Sequence, residues 1–217
     1  MKKVANVFLL RMPAFFLFSG LLIATAVQPL FAQVKQEFYP NGKLKSEGNY
    51  INQKKDGTWK YYYPSGILMA EENFNAGLLH GSVRNYDAKG KITSKENWLY
   101  GAEEDSSFSY YPNGTIKRCG VFRYGLYDGI WTTFYENGKI KNKGHYVMGE
   151  PSGMWYFYSV KGTLEMEAHY ENGKKNGKAI LYNSKGEKWQ EGNYVNDEQA
   201  GTWKVYKNGK FLGNVTY

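Results

Sequence analysis

Glycine returns in this chain every 24 residues. Gly42, Gly66, Gly90, Gly114, Gly138, Gly162 and Gly186 keep that spacing, and Gly209 follows at 23, which implies one deletion in the last unit. Three more columns hold the same register. A second glycine column runs Gly57, Gly81, Gly129, Gly153, Gly177 and Gly201, with Asp105 in its vacant place. Aromatic columns run Tyr50, Phe74, Trp98, Phe122, Tyr146, Tyr170 and Tyr194, and Phe38, Tyr62, Tyr86, Tyr110, Phe134, Tyr158, Tyr182 and Tyr206. A fixed period of this length means one supersecondary unit repeated and stacked.

The local chemistry says what the unit is. Tyr39-Pro40-Asn41-Gly42 and Tyr111-Pro112-Asn113-Gly114 are turn sequences: proline presets the first φ and glycine accepts φ > 0. Alternation follows, with Leu44, Ser46, Gly48 and Tyr50 on one side and Lys45, Glu47 and Asn49 on the other. A second turn at Gly77, Gly101, Gly125, Gly149 or Gly173 leads to a second short strand, expected to begin at the second glycine column. Trp59, Trp131, Trp155 and Trp203 share one column of that strand, three residues before the Tyr62 column. Period two would put the two columns on opposite faces, so either a bulge reconciles them or both faces are partly covered. Aromatic residues make up 18% of the chain, so rings rather than aliphatic side chains do the packing.

The expected fold is therefore all-β: an elongated, single-layer antiparallel sheet of stacked 24-residue β-hairpins, in which no unit stands alone. Burial of one or two rings falls far short of the backbone entropy lost by 24 residues, so each unit needs its neighbours. About fifteen strands at ~4.8 Å would make a sheet of roughly 70 Å.

Residues 1–32 differ from the rest. Lys2 and Lys3 precede an apolar run to Phe31, and Ala32 offers a small residue at a cleavage position, so we expect a signal peptide over 1–32, a single repeat domain over 33–217, and export to the periplasm or beyond. An uncleaved anchor is the competing reading. Cleavage removes three of 28 basic residues, leaving 25 against 20 acids, a charge of +5. That mild, dispersed excess excludes a nucleic-acid binder. The single Cys119 makes no intramolecular disulfide.

The segments Glu47-Gly48-Asn49-Tyr50, Gly77-Leu78-Leu79-His80-Gly81 and Gly57-Thr58-Trp59 with Tyr62 resemble the MORN repeat, whose units are β-hairpins stacked in one elongated sheet. The Tyr-Pro-Asn-Gly turns and Gly-x-Trp strands are similar to the bacterial variant found in YwqK-like antitoxin family proteins. The resemblance spans nearly all of 33–217 and implies a scaffold for protein or membrane contact. An antitoxin or immunity role is its further implication, though an exported chain is poorly placed to meet a cytoplasmic toxin.

Chemistry has few candidates. His145 and His169 occupy the same column as Asn49, Asn73, Asn97 and Asn193, and two histidines do not make a metal site. Cys119 lies in a column with Glu47, Glu71, Lys95, Lys143, Glu167 and Glu191, with no base beside it. No catalytic, cofactor-binding or metal site is expected. The residues that break the pattern are the candidates for binding a protein or envelope component: Glu103, Glu104, Phe108 and Tyr110 in the irregular third unit. Exposed parts of the Trp59, Trp131 and Trp155 column join them as a groove for peptide, glycan or lipid. A monomer is expected, with open edges near Gln36–Tyr39 and Tyr217 able to pair with another copy.

Overall fold

The structure is a computed structural model and describes residues 33–217. The expected signal peptide and its cleavage site at Ala32 lie outside the described residues. The described chain forms β1 (Gln33–Phe38), β2 (Leu44–Ile51), β3 (Lys54–Tyr62), β4 (Leu68–Asn75), β5 (Leu78–Tyr86), β6 (Ile92–Leu99), β7 (Ala102–Glu103), β8 (Asp105–Tyr110) and β9 (Ile116–Arg123). It continues through β10 (Leu126–Phe134), β11 (Ile140–Val147), β12 (Glu150–Tyr158), β13 (Leu164–Glu171), β14 (Lys174–Tyr182), β15 (Lys188–Val195), β16 (Glu198–Lys207) and β17 (Lys210–Thr216). These make one 17-stranded sheet. Sequence neighbours pair antiparallel from β1 on β2 to β16 on β17, except that β7 and β8 lie in succession along β6 and both pair with it. The sheet is a single open layer, as the repeat demanded, with β1 and β17 at its edges.

The two turns of the unit differ, and glycine marks both in most units, with Asn52-Gln53 and Asn196-Asp197 taking its place at two of the second turns. At the first, the Gly42 N–H donates to Tyr39 O (2.9 Å) and the Tyr39 N–H to Lys43 O (2.8 Å), a type I turn closed by a left-handed glycine. At the second, two residues such as Ala76 (φ 50°) and Gly77 (φ 90°) both take positive φ, the two-residue hairpin turn whose twist matches the strands. The deletion before Gly209 is now explained. Asn208 and Gly209 (φ 50° and 74°) form a two-residue turn between Lys207 and Lys210 where earlier units have the longer one.

The second glycine column corrects the expected strand boundary. Strands start right after the two-residue turn, at Leu78 rather than Gly81. The column sits inside the strand as a bulge: register slips between Glu47 and Asn49 opposite Gly57, whose φ is 68°. Asp105 takes the same left-handed conformation (φ 65°), and there the strand is split into β7 and β8.

Direct cross-strand partners share a face. One face, here the aromatic face, carries Trp59 opposite Glu72, Tyr61 opposite Ala70 and Tyr50 opposite Lys55; the outer face carries Glu47 opposite Lys60 and Thr58 opposite Asn73. Tyr62 donates to Glu47 (2.8 Å), so it belongs to the outer face. Trp59 and Tyr62 thus point to opposite sides, and both faces are partly covered.

Single-layer burial is achieved by laying each tryptophan over a glycine. A Cβ on Gly48, Gly120, Gly144 or Gly192 would collide with the ring of Trp59, Trp131, Trp155 or Trp203 respectively, each eleven residues on. An edge-on aromatic covers each indole: Tyr50 at 5.0 Å from Trp59, Phe122 at 5.0 Å from Trp131, Tyr146 at 5.0 Å from Trp155 and Tyr194 at 5.3 Å from Trp203. The indole N–H donates to the backbone carbonyl beside the bulge, Asn49 for Trp59 (3.0 Å) and Val121 for Trp131 (2.9 Å). Where tryptophan is replaced, the facing glycine is replaced too: Ala168 with Ala179, Glu72 with Val83, Glu96 with Ser107. The strand β17 carries Val215 in the glycine column, opposite Trp203.

Candidate functional site

The structure separates the residues that break the sequence pattern. Trp59, Trp131 and Trp155 are 2%, 3% and 6% exposed on the aromatic face, which withdraws them as a binding groove. Glu103 faces Trp98 on that same side, its carboxyl pushed up by burial and by the nearby Glu96, with Arg118 opposing. Glu104 accepts from the Tyr124 N–H (2.7 Å) and serves the next turn. Phe108 lies on the outer face between Lys95 and Cys119, and the Lys95 ammonium stands 5.8 Å from the centre of the Tyr110 ring. Only Phe108 and Tyr110 remain together as a surface.

What surrounds them on the outer face is a change in three columns at once. In the outer units the first column is acidic and its acids are engaged. Tyr62 donates to Glu47 (2.8 Å), Tyr182 to Glu167 (2.8 Å) and Tyr206 to Glu191 (2.7 Å), while Arg84 pairs with Glu71 (3.0 Å). These bonds hold the Glu47 carboxyl below its usual range, through Tyr62 and then Gln36, and the Glu191 carboxyl likewise, through Tyr206 and then Lys188. Burial, followed by the bond to the carboxylate, pushes the Tyr62 and Tyr182 phenols up to about 12. In the middle units the column reads Lys95, Cys119 and Lys143 instead.

The second column changes from Asn49, Asn73 and Asn97 to Val121, His145 and His169, and the third from Thr58, Ser82 and Ser106 to Ile130 and Met154. Early in the chain these two columns bond to each other across strands, Thr58 to Asn73 (2.7 Å) and Asn97 to the Ser106 carbonyl (3.1 Å). In the middle that exchange ends. Ile130 is 69% exposed, and Ile130, Lys143, His145, Met154 and Tyr156 line an open trough of 410 Å³. A trough of 480 Å³ at the first units is walled by Glu47, Thr58 and Glu71, whose carboxylates and hydroxyl already have partners.

Lysines predominate around the strip, and the two acids directly opposite its members are engaged, Asp128 opposite Val121 by Arg123 and Glu167 opposite Tyr156 by Tyr182. Lys143 stands 5.4 Å from the Tyr156 ring centre, Lys117 5.8 Å from Tyr111 and Lys141 5.8 Å from Tyr135. Among the described residues no ion pair engages Lys95, Lys117, Lys141 or Lys143. Lys95 is the direct cross-strand partner of Arg84, which is itself paired with Glu71 on its other side, so Lys95 is left without a carboxylate. Burial pushes the Cys119 thiol up, away from thiolate chemistry. His169 Nδ1 lies 2.8 Å from the Asn176 carbonyl, and His145 is exposed.

Val121, Ile130, Lys143, Met154 and Tyr156 were missed as candidates because each looks unremarkable alone. The signal is present in the columns: each departs from the polar or charged residue that its own column holds at both ends.

No curated protein matches the chain. The family model described as the MORN repeat variant matches residues 34–52, 55–76 and 127–148, the last of which runs through β10 and β11 beneath Ile130 and Lys143. The chain carries MORN repeat variant units.

Proposed function

We propose that the chain is a non-catalytic, exported scaffold that binds a protein or cell-envelope component along the outer face of its sheet, through the strip from Phe108 to Tyr156. The observation that supports it most is the joint departure of three columns, which leaves exposed apolar side chains and unpaired lysines where the same sheet elsewhere holds engaged polar pairs. Contiguous exposed apolar surface marks interaction sites on soluble proteins. Loss of the Glu–Tyr bonds in those units gives up local stability for which the fold alone supplies no compensation.

A photo-crosslinking residue placed at Ile130 and, separately, at Thr202 in the source cells tests this reading. A discrete adduct from position 130 and none from 202 is expected; no adduct from 130 would overturn it. Fractionation with N-terminal sequencing checks the export component, which expects a chain beginning at Gln33. If the partner is a toxin, the antitoxin resemblance applies, and co-expression with the captured partner rescues growth.

A further inference from the structure

On the basis of that reading, we propose that the strip's occupant is an extended polypeptide segment carrying carboxylates and large apolar side chains together. The charge calls for an anion. Among the described residues Lys95, Lys117, Lys141 and Lys143 have no acidic partner, and Lys95 sits directly opposite Arg84, whose own charge Glu71 already meets. A facing carboxylate pairs these lysines at Lys95 and Lys143, where the outer units supply their own glutamates.

Charge alone does not describe the surface. Val121, Ile130, Met154 and Tyr156 lie among the lysines, with Ile130 69% and Val121 37% exposed. A polyanion without apolar groups leaves those side chains in water, and an apolar chain without carboxylates strips water from the lysines unpaired. The trough is open along the face rather than closed over a cavity, so it suits a chain laid across it. Three units at two strands each span roughly 30 Å, the reach of about nine extended residues. An anionic bilayer is disfavoured by the rest of the same face, where Glu47, Glu71, Glu167 and Glu191 flank the strip on both sides.

Fluorescence anisotropy of a labelled ten-residue peptide built on a Glu-Glu-Leu-Leu repeat, which in extended form shows both residue types on the same face, tests the chemistry when titrated with the full chain. The probes beside it replace all Glu by Gln or all Leu by Ser, and vesicles of phosphatidylglycerol form a separate arm. The Glu–Leu peptide is expected to bind at least tenfold more tightly than either replaced peptide. Lys143→Glu and Ile130→Thr should each weaken it at least tenfold, whereas Lys60→Gln on β3 should leave it unchanged. Both strip substitutions install residues that the same columns hold elsewhere, so melting curves should show the fold retained. Equal binding of the Gln or Ser peptide, insensitivity to both strip variants, or saturable vesicle binding stronger than the peptide's would overturn the proposal. The scaffold reading has its own outcome: a crosslink from position 130 surviving such a result would leave that reading standing and sink only the peptide chemistry.

Discussion

At the scale of single residues, the irregular third unit is where side chains conflict with the backbone. Asp105 occupies a left-handed position (φ 65°) that glycine fills in six other units. A side chain there costs on the order of 1 kcal/mol or more. Asp105→Gly is therefore expected to raise stability by about 1 kcal/mol in chemical denaturation and to join β7 and β8. Glu103 carries a second strain, because burial and Glu96 raise its carboxyl above the ordinary value of 4.5. A raised acid favours the folded state below its unfolded pKa and loses that contribution as pH rises through the folded one. Glu103→Gln should thus stabilise the chain at neutral pH and have little effect below about pH 4, which paired melting curves at the two pH values would show. A Gln variant no more stable at pH 7 than at pH 4 would remove the argument.

The unit of packing at the scale of elements is the glycine–tryptophan pair across neighbouring strands. Gly144→Ala drives a methyl into the Trp155 ring and should destabilise by about 1–3 kcal/mol. Trp155→Ala alone should cost about 3–5 kcal/mol. The double variant recreates the pair that the chain already uses at Ala168 and Ala179, both fully buried. Its loss should therefore fall short of the sum of the two singles by more than about 0.5 kcal/mol in a double-mutant cycle. Strict additivity would mean that the two positions do not share their space.

For the whole molecule, stability against pH should be carried by the outer units. The lowered Glu47 and Glu191 carboxyls contribute stability above 4.5 that is lost as pH falls through their folded values. The raised phenols of Tyr62 and Tyr182 contribute below 10.0 and lose it on approach to about 12. A plateau between these limits is expected, and the combined Tyr62→Phe, Tyr182→Phe and Tyr206→Phe variant should flatten both flanks of a plot of melting temperature against pH. The melting temperature should move by about 2–4 °C for each kcal/mol lost. Hydrogen exchange in acid should open β2–β3 and β14–β16 before β9–β12, because the middle strands have no Tyr–Glu bond to lose.

Much of this was legible in the chain because a repeat tests every position many times over. The 24-residue glycine spacing, the alternation after Leu44 and the turn chemistry of Tyr39-Pro40-Asn41-Gly42 determined an open antiparallel sheet of hairpins, since local backbone preferences act over a few residues and sum along the array. The same columns showed that Phe108, Tyr110 and Cys119 lay in units that broke the rule. Tertiary structure alone decided where side chains meet across strands. Only the bulge at the second glycine column placed Trp59 over Gly48, buried the tryptophans that looked available for binding, and sent Tyr62 to the other face. Only the register brought Lys143, Ile130, Met154 and Tyr156 to one trough, because those residues lie on three different strands and their proximity is set by pairing rather than by distance along the chain.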